Sequence, residues 1–231
     1  MRTFYRLTSV GIIVALILLV NTAGFANTRD EALALMKAKK NGEAEAILNR
    51  LITDKPNQAQ LHDDRASARI GLRNFAGADA DYGEAIRIEP DNISHRSNRA
   101  DLRIYFLKDY TGAIIDYTEL LRVKPDEGHY LYMRGRALQK AGYLPEALAD
   151  LDRALAVGNA STSVHAARGI VLEQLGRRQE AETAYRKALE INARNLEASR
   201  GLQSLAAGGK PTPPPTPAVS LSALLKKAPE Q

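Results

Sequence analysis

The stretch from Gly135 to Ala188 matches itself when shifted by 34 residues. Gly135 falls on Gly169, Leu138 on Leu172, Gly142 on Gly176, Ala147 on Ala181, Leu151 on Tyr185 and Ala154 on Ala188. A fixed period of this size points to a stack of two-helix units rather than one globular core, because each unit buries its apolar face only against its neighbours.

The period extends toward the N-terminus. Ala113, Tyr117, Leu120 and Pro125 repeat the spacing of Ala78, Tyr82, Ala85 and Pro90, with one extra residue between the units; Ala44, Leu48, Leu51 and Pro56 form an earlier, weaker copy. Each copy holds two amphipathic segments with apolar or small residues at i, i+3, i+4 and i+7. Short breaks separate the two segments at Leu72-Arg73-Asn74, Leu107-Lys108, Ala141-Gly142 and Leu175-Gly176. Glycine there permits a tight turn between helices. Pro56, Pro90 and Pro125, followed by Asn57, Asp91 and Asp126, stop each second helix. Small residues mid-way along the first helices, Ala66, Ala100, Gly135 and Gly169, predict close approach of the second helix.

The pattern resembles the tetratricopeptide repeat. Arg134-Gly135-x-x-Leu138 and Arg168-Gly169-x-x-Leu172 match the first-helix signature. Ala78-x₃-Tyr82, Ala113-x₃-Tyr117, Ala147-x₃-Leu151 and Ala181-x₃-Tyr185 match the second. The tryptophan favoured early in the first helix is missing, and the fourth and fifth units end at Asn159 and Ala193 without proline. The resemblance implies an all-α fold, a right-handed α-solenoid of about five helix-turn-helix units. Their expected bounds are 27–57, 58–92, 93–127, 128–161 and 162–195, the first degenerate, with a capping helix at 196–206. Residues 208–219 read as a Pro-rich linker, and 220–231 as a short amphipathic or disordered tail in which Ser220 would cap a helix of about two turns.

The first 26 residues have a different character. Arg2 and Arg6 precede an apolar run from Val10 to Val20, and Gly24-Phe25-Ala26 supplies small residues before a cut. That is the layout of a secretory signal peptide, cleaved after Ala26. The apolar run is about half the ~20 residues a membrane span needs, so no stable span is expected after cleavage. The expected location is periplasmic or secreted. The chain has no cysteine, which removes disulfides, thiolate metal sites and thiol nucleophiles. Its net charge of +5 includes Arg2 and Arg6, and acids and bases are interspersed, so nothing argues for nucleic acid as a partner.

Catalytic motifs are missing. The sequence holds no His-Glu-x-x-His, no Gly-x-Ser-x-Gly and no phosphate-binding Gly-x₄-Gly-Lys-Ser/Thr. His62, His95, His129 and His165 stand near the starts of successive first helices. Neighbouring units lie ~10 Å apart, too far for one ion to bridge two imidazoles. The chain is therefore expected to be no enzyme and to carry no cofactor or metal. The resemblance implies a concave surface built from first helices. Its partner-binding residues are expected to be Ser97, Asp101, Tyr105, Tyr132, Arg136, Gln139, Lys140 and Glu173. Tyrosine and arginine are the residue types that most often anchor interfaces. The family's chaperone-cofactor members clamp a C-terminal carboxylate; Asn98 fits that clamp, but Asp63, Ser67, His129 and Met133 stand where its other groups would be. The reading is a protein–protein scaffold of a bacterial envelope, holding a peptide or helix of another protein. The alternatives are a homo-oligomer assembled through the tail and an accessory subunit of an envelope enzyme or export complex.

Overall fold

The computed structural model describes residues 28–209 and 213–226, and the only regular elements among them are helical. The signal peptide expected at 1–26, residues 210–212 of the expected linker and residues 227–231 of the expected tail lie outside the described residues. The chain divides into two compact units at Ile88.

The N-terminal unit holds α1 (Arg29–Lys37), α2 (Asn41–Asp54), α3 (Ala59–Gly71) and α4 (Phe75–Ile88). Helix α1 starts at Thr28, whose side-chain oxygen accepts from the Glu31 N–H at 3.1 Å, an N-cap that satisfies one orphan amide. Its core is Ala32, Ala44, Ile47, Leu48, Leu61 and Ala68.

The C-terminal unit holds α5 (Ile93–Leu102), a π turn (Arg103–Leu107), α6 (Tyr110–Val123), α7 (Gly128–Ala141), α8 (Leu144–Ala156), α9 (Thr162–Gln174), α10 (Arg178–Ile191), α11 (Leu196–Ala206) and α12 (Leu221–Lys226). One apolar cluster runs through α5 to α11, with Tyr117, Leu131, Leu138, Leu151, Leu172 and Tyr185 among its fully buried members. A Cβ on Gly135 would sit 3.3 Å from the Ala147 carbonyl, and one on Gly169 would sit 2.5 Å from the Tyr185 ring. The small first-helix residues thus stand where the second helix closes in.

The turn inside each helix pair holds one left-handed residue, and four of the five close in the same way. Lys39, Arg73, Lys108, Gly142 and Gly176 all have positive φ, between 59° and 91°. The residue after each reaches back to a first-helix carbonyl: Lys40 to Leu35, Asn74 to Arg69, Tyr143 to Leu138 and Arg177 to Leu172, at 2.8–2.9 Å. This is the Schellman closure of a helix C-terminus, which favours glycine. Only the last two turns have one.

The third turn departs by one residue. Asp109 N–H bonds the Arg103 carbonyl, one residue further back than elsewhere. The extra residue of this repeat therefore lies inside the first helix, where the π turn absorbs it, and not between units. The π turn leaves Tyr105 and Phe106 about half exposed, at 47% and 49%.

Paired charges fasten first to second helices. Arg65 grips Asp81, Arg99 grips Asp116 and Arg134 grips Asp150, each through two hydrogen bonds of 2.6–3.0 Å. Arg69 joins Asp81 and Arg103 joins Asp116 as second cations. In the next pair Ala184 occupies the aspartate position, and Arg168 turns to Asp152 instead.

Candidate functional site

In the C-terminal unit, side chains from the π turn, α7, α9 and α11 form a shallow polar and aromatic face. Helix α7 supplies most of it. Its i, i+4, i+7 and i+8 positions are Tyr132, Arg136, Gln139 and Lys140, while Leu131, Met133, Gly135, Ala137 and Leu138 turn into the core.

The Arg136 guanidinium lies over the Tyr132 ring, 5.7 Å from its centroid, within cation–π range. Burial pushes the Tyr132 hydroxyl upward, and Arg136 offsets part of that. The Tyr105 hydroxyl reaches across to the Met133 sulfur at 3.8 Å. Tyr105 and Glu197 both act electrostatically on Tyr132 and Arg136. Tyr105, Tyr132 and Arg136 are thus brought together, with Tyr105 supplied by the π turn.

Beyond them, Gln139, Lys140, Ile170, Glu173, Gln174, Glu197, Arg200 and Ser204 line one depression between α7, α9 and α11. Gln139 donates to Gln174 at 2.8 Å. Lys140 is exposed.

The remaining expected residues are spent on internal bonds. Glu173 is buried; its carboxylate accepts from the Tyr185 hydroxyl at 2.7 Å and the Ser204 hydroxyl at 3.1 Å. It ties α9 to α10 and α11 at the floor of the depression. Asp101 accepts from the buried Tyr117 hydroxyl. Ser97 hydrogen-bonds the Tyr130 hydroxyl. A buried tyrosine needs an acceptor for its O–H, and the Asp101 and Glu173 carboxylates meet that need for Tyr117 and Tyr185.

Sequence reasoning missed α11's part. Read as a cap, it contributes Glu197, Arg200 and Ser204 to the face. The signal was present, since Glu197 is the 34-residue mate of Ser163, itself on the inward side of α9. Missed too was the contrast among arginines. Of those on α5, the π turn, α7 and α9, Arg136 alone makes no ion pair among the described residues.

Of the histidines, His62 Nε2 sits 2.9 Å from the Pro56 carbonyl, and His95 Nε2 sits 3.1 Å from Asn92 and 3.3 Å from Glu89. Both lock helix starts to the preceding turn. Among the described residues there is no cluster of three or more metal-ligating side chains, and no helix is long and apolar enough to cross a membrane.

Stacked antiparallel helix pairs with a left-handed turn inside each pair define a helical-repeat protein. More narrowly, residues 163–195 match the tetratricopeptide repeat family model, and the chain has the tetratricopeptide-repeat fold. It is similar to MamA from Desulfovibrio magneticus RS-1, with 14% identity, a TM-score of 0.66, and 73% of this chain and 94% of that chain covered. It is similar to YrrB, described as a TPR protein with an unusual peptide-binding site, with 14% identity, a TM-score of 0.66, and 74% and 88% covered. A tetratricopeptide repeat protein from Parabacteroides merdae ATCC 43184 matches with 21% identity, a TM-score of 0.70, and 77% and 70% covered. No curated protein matches the chain in sequence.

Proposed function

We propose that this chain is a non-catalytic scaffold that holds a peptide or helix of a partner protein on the face formed by Tyr105, Tyr132 and Arg136. The observation that carries this reading is the state of Arg136. Arg134, two residues away on the same helix, is committed to Asp150, whereas Arg136 lies over the Tyr132 ring, hydrogen-bonds Tyr132 and makes no ion pair among the described residues. An arginine already ordered by stacking loses little freedom on engaging a ligand carboxylate, and it can do so bidentately. Tyr105 and Tyr132 offer flat apolar area beside it. The ligand read from this chemistry carries an acidic side chain or carboxylate next to an apolar one. The peptide-binding description of YrrB supports the same reading by analogy of fold.

The expected leader at 1–26 places this activity outside the cytoplasm, in a periplasm or beyond, as part of the same proposal. The experiment is selection of binders from a random peptide library against the intact chain. Selected peptides should share an acidic residue next to an apolar one, and Arg136→Ala or Tyr132→Ala should weaken them at least about tenfold, the ~1.4 kcal/mol or more expected of interface anchors. Peptides indifferent to both substitutions would refute the reading.

A further inference from the structure

The segment after α11 does not trail away from the fold. From Pro213 to Lys226 it lies against the C-terminal unit, at the turn between α7 and α8 and along α6. The Tyr143 hydroxyl donates to the Val219 carbonyl at 2.7 Å, across 76 residues of sequence. The strand before it passes so close to Gly142 that a Cβ there would lie 1.9 Å from the Pro215 carbonyl oxygen. Pro214 and Pro217 are half-buried, and Pro213, Pro215 and Thr216 are exposed. Ser220 then caps α12, its hydroxyl accepting from the Ala223 N–H at 3.3 Å. Leu221, Leu224 and Leu225 pack on the core cluster, while Ser222 and Lys226 face outward.

This turn differs from its repeats. The residue after the left-handed position is Lys40, Asn74, Asp109 or Arg177 elsewhere, and tyrosine only here. At the equivalent Gly176 a Cβ would meet nothing within 4 Å.

We propose that the edge formed by Gly142, Tyr143 and the flank of α6 is a peptide-binding site separate from the Arg136 face, and that its occupant is the chain's own segment 213–226, held as an exchangeable ligand. The site recognises a proline-rich strand that runs into a serine-capped helical turn with leucines at i, i+3 and i+4. Exchange follows from how lightly the segment is held. No residue of α12 is fully buried, and a six-residue helix has little stability of its own. Tethering makes up the difference, because a short linker supplies an effective concentration of order mM. The site is therefore filled in cis while its affinity for the free segment stays modest.

The test uses a fluorescein-labelled synthetic peptide spanning 213–226. It is titrated into the full chain and into the full chain carrying Leu224→Asp and Leu225→Asp, which disable the resident segment without touching the site. The peptide is expected to bind the variant about tenfold more tightly than the wild type, the competition a tether of order mM exerts on a ligand of order 0.1 mM. Adding Tyr143→Phe to the variant should weaken the peptide about three-fold or more by removing the bond to Val219. Adding Arg136→Ala instead should change nothing. Equal binding to wild type and variant, binding to neither, or loss with Arg136→Ala would overturn the proposal.

Discussion

Asp116 is fully buried and receives Arg99 and Arg103 at 2.6 and 3.0 Å. Such an arrangement contributes little net stability relative to an apolar filling, but breaking it leaves three partly buried guanidinium groups, Arg99, Arg103 and the more distant Arg96, without their carboxylate. Asp116→Ala is therefore expected to cost about 3 kcal/mol, seen as a lower urea midpoint with an unchanged slope. The exposed carboxylate of Asp126, paired with Arg153 at the surface, should by contrast give under ~1 kcal/mol when replaced.

Tyr117 and Tyr185 set the alkaline limit. Burial, and then the hydrogen bonds to Asp101 and Glu173, hold both phenols far above the usual tyrosine range. Below pH ~10 both states keep these protons, and the stabilisation is complete. Above it the unfolded chain releases them and the folded chain does not, so stability falls by about 1.4 kcal/mol per pH unit for each tyrosine. Denaturation followed between pH 9 and 11.5 should show that slope, and the Tyr117→Phe, Tyr185→Phe double variant should show a shallower one. Identical slopes would contradict the assignment.

Among the elements, the left-handed turns are the most uniform feature and the most unevenly served by sequence. Gly176 has φ of 78° with open space around its missing side chain, so Gly176→Ala isolates backbone strain and should cost about 1 kcal/mol. Arg73 holds φ of 62° with a side chain, so Arg73→Gly should be neutral or stabilising by up to about 1 kcal/mol. Thermal melts of the two variants should move in opposite directions, or Arg73→Gly not at all; a clear loss at Arg73 would contradict the account.

The helix pairs and their breaks were legible because a 34-residue period, alanine and glycine at contact positions, and proline stops are all local signals. The π turn was half legible. Arg99 and Asp116 stand 17 apart where Arg65–Asp81 and Arg134–Asp150 stand 16 apart, which locates the extra residue inside the pair; read from alanine and proline spacing alone, it fell between units. Helix α12 was only one of two readings of the tail, the other being disorder, because a six-residue helix is marginal alone and its docking depends on contacts 76 residues away that no local pattern encodes.

At the scale of the whole molecule, repeat architecture fixes which helices face inward before any ligand is known. Tyr132, Arg136, Gln139 and Lys140 were readable as one face for that reason. The fates of Asp101 and Glu173 were not, since their role as partners for Tyr117 and Tyr185 arises only when neighbouring helices close over them. The proposed function requires the Tyr105–Tyr132–Arg136 face to be a specific docking surface. The most direct measurement places a photo-crosslinking residue at Tyr132 in cells of the source organism, with a second chain carrying it at Ala149, exposed on α8, as the control. A discrete adduct at position 132, absent at 149 and lost on Arg136→Ala, is the predicted result. The same adducts from both positions, or capture at 132 that ignores Arg136, would contradict it.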